Sequence, residues 1–328
     1  MRTIVFFNNK GGVGKTTLAY HIAWMMAELG HNMLAADLDP QANLSSMFLE
    51  EEKLEELWPE KKEHQSVLPC ISPILEGTGD IAPVHTERIR DNLHLIPGDL
   101  GLSQFEDKLS DSWPRCLNGD SAAFRATTAF YRIVYDAAEN IAADIVLIDI
   151  GPNLGAINRS ALIAADFVIS PLAPDLYSLQ GLRNLGPTLR NWRRGWEQRL
   201  QQKPDNLNIP LPCGRMTPAG YIVIQHVERK SRPVRAYRKW VERIPSTYRE
   251  YVLDQTANSM SEEDPNRIGL IRHYQSLMPM AQEARKPVFF LKPAEGAIGA
   301  HAQSVRKCYM DFKRITETIL QRTESENN

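Results

Sequence analysis

Lys10-Gly11-Gly12-Val13-Gly14-Lys15-Thr16-Thr17 lies between a short apolar run at residues 3–7 and a helix-like stretch at residues 15–29. A glycine-rich turn joining a strand to a helix lets backbone N–H groups approach an anion closely, and the helix behind it presents its positive end to the same place. Gly11, Gly12 and Gly14 meet that need. The eight residues Lys10, Gly11, Gly12, Val13, Gly14, Lys15, Thr16 and Thr17 are the expected nucleotide-binding loop. Lys15 is placed to neutralise the β and γ phosphates of ATP, and the Thr16 hydroxyl to ligate Mg²⁺, a hard cation that prefers oxygen. The strict spacing G-x-x-x-x-G-K-[ST] is not met, because Asn9 stands where its first glycine belongs.

Outward from this loop, the chain alternates apolar strand-like runs with helical stretches. Strands are expected at residues 3–7, 32–37, 93–96, 145–149, 167–170 and 221–225, with Gly30 ending the first helix. Runs without a polar alternation belong to strands buried on both faces, so the pattern predicts an α/β fold: a doubly wound, mostly parallel sheet flanked by helices. One domain is expected over residues 1–322, with surface insertions near 50–90 and 111–126 and a flexible tail at 323–328. Gly186-Pro187 is expected to break the helix at 182–200, and residues 201–218 to form a loop.

The 328 residues are 43% apolar and 24% charged, the balance of an ordinary globular protein, with no tract long enough to span a bilayer. No secretory signal precedes the loop, so a cytoplasmic location is expected. The loop begins within ten residues of Met1, which leaves no expected operator-reading helix-turn-helix domain ahead of it. Four dispersed cysteines lack the close spacing that zinc or an iron-sulfur cluster requires, so a redox or cluster-carrying role is disfavoured. The net charge of -2 conceals an asymmetry: residues 183–250 carry fifteen Lys and Arg against five Asp and Glu. At helical spacing, Val234, Tyr237, Trp240, Val241 and Ile244 fall on one face of residues 232–244, with Arg232, Arg235, Arg238, Lys239 and Arg243 on the other. Residues 182–200 divide similarly, with Arg183, Arg190 and Arg194 opposite Leu185, Leu189, Trp192 and Trp196.

The second lysine gives the glycine loop its character. Asn8 to Thr17 resembles the deviant Walker A loop of the ParA/MinD group of P-loop NTPases, in particular ParA/Soj-type partition ATPases. Asp37-Leu38-Asp39-Pro40-Gln41-Ala42-Asn43 resembles the group's switch segment, and Val146-Leu147-Ile148-Asp149 ends in a carboxylate as a Walker B strand does. Further similar segments follow in order: residues 92–98, 165–171, 177–182, 284–288 and 296–297. The resemblance implies that Lys10 reaches across a nucleotide-sandwich dimer to the partner's phosphates, and that Asp39 positions the attacking water. Lys10, Lys15 and Asp39 are thus the expected catalytic residues, and Thr16, Asp39 and Asp149 the expected metal site. Gln225 falls where relatives contact adenine. Where the group has two prolines after the metal aspartate, this chain has Gly151-Pro152.

The implied function is an ATPase that forms a homodimer on binding ATP and Mg²⁺, coats DNA non-specifically through the 232–243 stripe, and positions or partitions a cargo such as a plasmid. A ParB-like partner would stimulate hydrolysis, and the protein would be nucleoid-associated. Two alternatives compete. A MinD-like membrane-positioning ATPase would need an amphipathic C-terminal anchor; Val305, Cys308, Tyr309, Phe312, Ile315 and Ile319 form a stripe there, but the acidic tail opposes an anionic membrane, so the stripe is read as core and no membrane is expected. The other is a ParA-like subunit of a complex for mobile-element maintenance or phage defence.

Overall fold

Apolar residues alternate faces along the central strands. Ile4 and Phe6 of β1 (Arg2–Phe6) enter one core with Met33 and Ala35 of β2 (Met33–Asp37) and with Ile145 and Leu147 of β5 (Ile145–Asp149). Val5, Leu34, Ala36, Val146 and Ile148, one residue out of phase, enter the other. Because the side-chain period of a strand is two, only burial on both faces explains such unbroken apolar runs. The computed structural model describes residues 1–60, 64–224, 239–255, 264–272, 274 and 276–324.

Among the described residues, eight strands form one sheet in the order β3-β4-β2-β5-β1-β6-β7-β8, where β3 is Glu87–Arg90, β4 Leu93–Ile96, β6 Phe167–Leu172, β7 Thr217–Ile224 and β8 Arg267–Ile271. Every pairing is parallel except that of β3 with β4. Helices α1 (Lys15–Glu28), α2 (Asn43–Phe48) and α3 (Glu51–Leu57) cover one face together with the C-terminal helices. The other face is covered by α4 (Val67–Glu76), α5 (Phe105–Arg115), α6 (Ser121–Thr127), α7 (Ala129–Asn140), α8 (Ala156–Ile163) and α9 (Leu176–Leu200). The connection from β1 runs to β2 on one side, and that from β5 runs to β6 on the other. Their carboxyl ends therefore flank a topological switch point, where open α/β sheets hold ligands.

Four expectations need correction. The stretches read as surface insertions are part of the core: Val67, Cys70 and Ile71 of α4 are at most 1% exposed, and Cys116, Phe124 and Ala126 are fully buried. Their apolar residues sit at i, i+3, i+4 and i+7 (67, 70, 71, 74), a helical stripe interrupted in sequence by Pro69 and Pro73. Asn118-Gly119 does turn the chain, with Gly119 at φ 69°, but between helices rather than in a loop. Second, α9 runs unbroken through Pro187, and Gly186 serves proximity instead of a break. A Cβ there would stand 1.8 Å from the Tyr251 carbonyl oxygen, so the glycine admits the segment Tyr248–Val252 against the helix.

The third correction concerns the edges. β3 reads Glu-Arg-Ile-Arg, too polar to be recognised as a strand, and its charges suit an exposed sheet edge. β8 carries Gly269, where a Cβ would lie 2.5 Å from Ile315 of the last helix, so this helix crosses directly over the strand backbone. Fourth, helix α10 (Ile244–Thr247) and α11 (Leu277–Glu283) precede a long α12 (Ala300–Thr323) that takes in the expected start of the tail. Thr323 is fully buried, its hydroxyl donating to the Ile319 carbonyl at 2.8 Å. The stripe of α12 is core: Cys308, Phe312, Ile315 and Ile319 are at most 3% exposed.

Candidate active site

The glycine loop is built where β1 hands over to α1. Asn8, buried, donates through Nδ2 to the Pro171 carbonyl at 2.8 Å and accepts the Lys10 amide on Oδ1 at 3.0 Å, which starts the turn. Gly12 and Gly14 have φ of 69° and 86°, left-handed conformations that glycine adopts without strain. Gly181 on α9 matters as well: a Cβ there would stand 2.7 Å from both the Asn8 and the Asn9 side-chain oxygens. Val13 is fully buried, and Thr16 and Thr17 are half-buried at the start of α1. With Gly14 as N-cap, no side chain caps that helix, so its first amides face the loop unclaimed by one.

Lys15 is buried, and its Nζ lies 3.4 Å from the Lys10 carbonyl oxygen. Burial lowers its pKa, while Asp149 and Asp39 pull the other way. Asp149 ends β5 in register with Asp37 of β2. It is fully buried, and neither carboxylate oxygen has a hydrogen bond of ordinary geometry. Burial, and then the Asp37 charge, raise its pKa well above the carboxylate range, with the Thr16 hydroxyl opposing. Asp39, also buried, accepts the Gln41 amide on Oδ1 at 3.0 Å. Lys15, Thr16, Asp39 and Asp149 are therefore neighbours at the carboxyl edge of the sheet.

Lys10 is placed differently. Its ammonium pairs with the Asp175 carboxylate and lies 5.8 Å from the Tyr177 ring centroid. Burial opposes ionisation of Asp175, yet Lys10 and the Ser178 amide hold its pKa below the ordinary value. Asp175 was missed in the sequence, although its place before Leu176 has the signature of an N-cap; its carboxylate accepts the Ser178 amide at 2.8 Å.

Asp37 plays another part from Asp149. Its Oδ2 accepts the Ser45 amide and hydroxyl, both at 2.7 Å, while Ser45 Oγ accepts the Gly98 amide at 2.8 Å. Burial still pushes its pKa up to about 7. A Cβ on Gly98 would meet Asp37 Cγ at 2.8 Å, which explains the glycine after Pro97. The departure at Gly151 also acquires a reason: a Cβ there would stand 3.3 Å from Asp39 Oδ1.

Beside the loop, a cavity of about 150 Å³ is lined by Gly14, Thr17, Leu18, Ile224, Ile271 and Phe312. Gln225, the expected adenine contact, lies outside the described residues, as do Arg232, Arg235 and Arg238 of the basic stripe. Lys239 and Arg243 are described and exposed, each with its charge 5.5 Å from the Trp240 ring centroid, while Ile244 is fully buried. The stripe expected on α9 is partly engaged within the chain. Arg190 donates to the Tyr251 and Val252 carbonyls at 2.9 and 3.3 Å, and Arg183 lies over the Tyr251 ring at 5.5 Å. Among the described residues, no helix is long and apolar enough to cross a membrane.

Comparison with known proteins agrees with this geometry. The AAA_31 family, described as an AAA domain, matches residues 1–202. The chromosome-partitioning ATPase Soj of Thermus thermophilus is 30% identical over 202 residues, 61% of this chain and 66% of Soj. The chain spans less than two thirds of the length of the curated relatives it matches, down to 42% for a replication protein A of Rhizobium rhizogenes. A crystal structure of a Corynebacterium diphtheriae protein superimposes with a TM-score of 0.73 at 24% identity, covering 99% of both chains. Cyanothece McdA in complex with ATP gives 0.61 at 15% identity, covering 100% of this chain and 98% of McdA. At such identities the likeness is one of fold.

Proposed function

The chain belongs to the AAA_31 family of ParA/MinD-type domains, and from that premise we propose that it is an ATP-driven switch that dimerises around nucleotide, binds DNA without reading its sequence, and positions or partitions a DNA cargo. The observation that carries the reading is the buried Asp149 carboxylate, which lacks an ordinary hydrogen bond beside Lys15 and Thr16 and directly behind the glycine loop. A buried carboxylate without a partner is costly unless a ligand compensates it, and a hydrated divalent cation fits an oxygen site of this kind. Among the described residues no group of three or more His, Cys, Asp and Glu gathers to hold a metal alone. That suits Mg²⁺, which takes one or two protein oxygens and completes its shell with phosphates and water. Thr16 and Asp149, with Asp39 alongside, would hold it, and it would offset phosphate charge.

The remaining residues divide the work. Lys15 would neutralise the β and γ phosphates, and the glycine-loop amides would cradle them. Asp39 would orient the attacking water, since phosphoryl transfer demands positioning and charge stabilisation more than a strong base. The apolar cavity beside Gly14 and Thr17 would take the base, and Gln225 would contact it. Lys10, released from Asp175, would reach the phosphates of a second copy. Arg232, Arg235, Arg238, Lys239 and Arg243 would neutralise DNA phosphates, with an affinity that falls steeply as salt rises. Dimerisation doubles the basic surface and so couples nucleotide state to DNA affinity. The partition role named for Soj supports this assignment of cargo, and a hydrolysis-stimulating partner would set the timing.

Sedimentation and low-salt gel shifts with ATP, ADP and no nucleotide test the reading. For Asp39→Ala the expected result is an ATP-trapped dimer that stays on DNA. A monomer that ignores both nucleotide and DNA would refute it.

A further inference from the structure

The loop between Asp149 and α8 is clamped from a distance. α8 has Gly155 as its N-cap, and a glycine offers no side chain to the first amides of the helix. Those amides are taken by Glu106, some fifty positions earlier on α5: Oε1 accepts the Ala156 N–H at 2.6 Å and Oε2 the Ile157 N–H at 2.9 Å. A carboxylate also suits the positive end of the helix. Gly155 cannot carry a cap of its own while Glu106 is there, because a Cβ would stand 2.6 Å from Glu106 Oε1. Buried Asn158 holds the same loop from below, donating from Nδ2 to the Gly151 and Asn153 carbonyls at 2.8 and 2.7 Å.

The other side of this loop faces the candidate active site. The Cβ position of Gly151 is 3.3 Å from Asp39 Oδ1, and that of Gly11 is 3.9 Å from the Pro152 ring. Glu106 itself is anchored by its neighbour Phe105, which is fully buried and meets Phe130 edge-on at 5.6 Å. We infer that Glu106 is a positioning residue: it fixes the 151–155 loop against α5 and thereby fixes the place of Asp39. A serine or aspartate at the N-cap would stabilise α8 equally well. What a cap from α5 adds is a set distance between that helix and the loop behind Asp149. The kinetic consequence rests on the ATPase reading above; the structural consequence does not.

The test uses the full chain and two independent readouts. In Glu106→Ala, hydrogen exchange of the amides at residues 151 and 153–157 should rise by about tenfold or more. The kcat for ATP hydrolysis should fall about tenfold with KM within about twofold, the mark of lost positioning rather than lost binding. Glu106→Gln, which keeps one acceptor oxygen, should fall between wild type and Glu106→Ala in both readouts. The double variant Glu106→Ala/Gly155→Ser supplies a local cap in the space vacated, with the Asn153 side chain, 3.0 Å from the new Cβ, giving way. It should regain the melting temperature that Glu106→Ala loses with its helix cap, but not kcat. Unchanged exchange in Glu106→Ala overturns the inference, and so does full recovery of kcat in the double variant, which would make Glu106 a cap and nothing more. If the wild type hydrolyses no ATP, the ATPase reading falls, and the exchange measurement still decides whether Glu106 holds the loop.

Discussion

Asp37 and Asp149 end neighbouring parallel strands in register, both are fully buried, and their surroundings differ in one respect. At the end of β2 the chain bonds one oxygen of its own carboxylate, with the Ser45 amide and hydroxyl on Asp37 Oδ2, while Oδ1 has no partner among the described residues. At the end of β5 neither oxygen of Asp149 has an ordinary hydrogen bond. A buried carboxylate with no ordinary hydrogen bond costs several kcal/mol; Asp149, with the Thr16 hydroxyl beside it, is the strand end where an arriving cation would gain most. The largest expected effect follows. Asp149→Asn should lower Mg²⁺-dependent phosphate release by roughly 100-fold or more. It should also stabilise the nucleotide-free protein by on the order of 1 kcal/mol, since a group whose ionisation burial opposes is replaced by a neutral amide. Retained turnover, or a loss of stability, would erase the distinction between the two strand ends.

The contrast can also be weakened from the other side. Ser45→Ala takes the hydroxyl from Asp37 and the acceptor from the Gly98 amide, so the end of β2 comes to resemble the end of β5. The expected cost is about 1–3 kcal/mol in urea melts, with a far smaller effect on turnover than Asp149→Asn. A pH signature accompanies it. The folded pKa of Asp37 is about 7, against an ordinary 3.8, so the folded state holds this proton more tightly than the unfolded one. Its contribution to stability is full below about pH 4 and is lost as pH rises through about 7. Ser45→Ala removes a bond to the ionised form, so the loss should extend to higher pH. An unchanged pH profile would mean that Ser45 does not set the Asp37 carboxyl.

How much of this was legible beforehand depends on the range of the interaction that specifies it. β4 and β5 fall on the expected residues, because short apolar runs bounded by turn residues carry their own signal. The placement of Lys15, Thr16, Asp39 and Asp149 could be read because each sits at a strand end or in a glycine loop that local sequence identifies, and the fold brings the four together. α4 was hidden by Pro69 and Pro73, and β8 by a glycine whose reason is a helix crossing above it. The contacts of Ser45 with Gly98, Glu106 with Ala156 and Lys10 with Asp175 join positions 50 to 165 residues apart. No spacing rule announces such pairs; they exist only once the sheet has set its strand order.

The two lysines of the glycine loop repeat the contrast on the cationic side, with a smaller effect at stake. Lys15 is buried, its ammonium 3.4 Å from the Lys10 carbonyl oxygen and in the field of Asp149 and Asp39. Lys10 is already engaged, paired with Asp175 and lying near the Tyr177 ring. If Lys10 is to serve a second copy, this pair must open first, and the cost of opening should appear in association rather than in folding. Partly exposed ion pairs are worth about 1 kcal/mol or less, so Asp175→Asn should leave the melting temperature almost unchanged. The freed lysine should lower the protein concentration at which ATP-dependent dimers form by a few-fold, as the fraction of competent monomer rises. Sedimentation across a dilution series with ATP reads this directly. Dimerisation at the wild-type concentration would show that the Asp175 pair holds nothing back, and would place Lys10 among the groups the chain satisfies for itself, with Asp37.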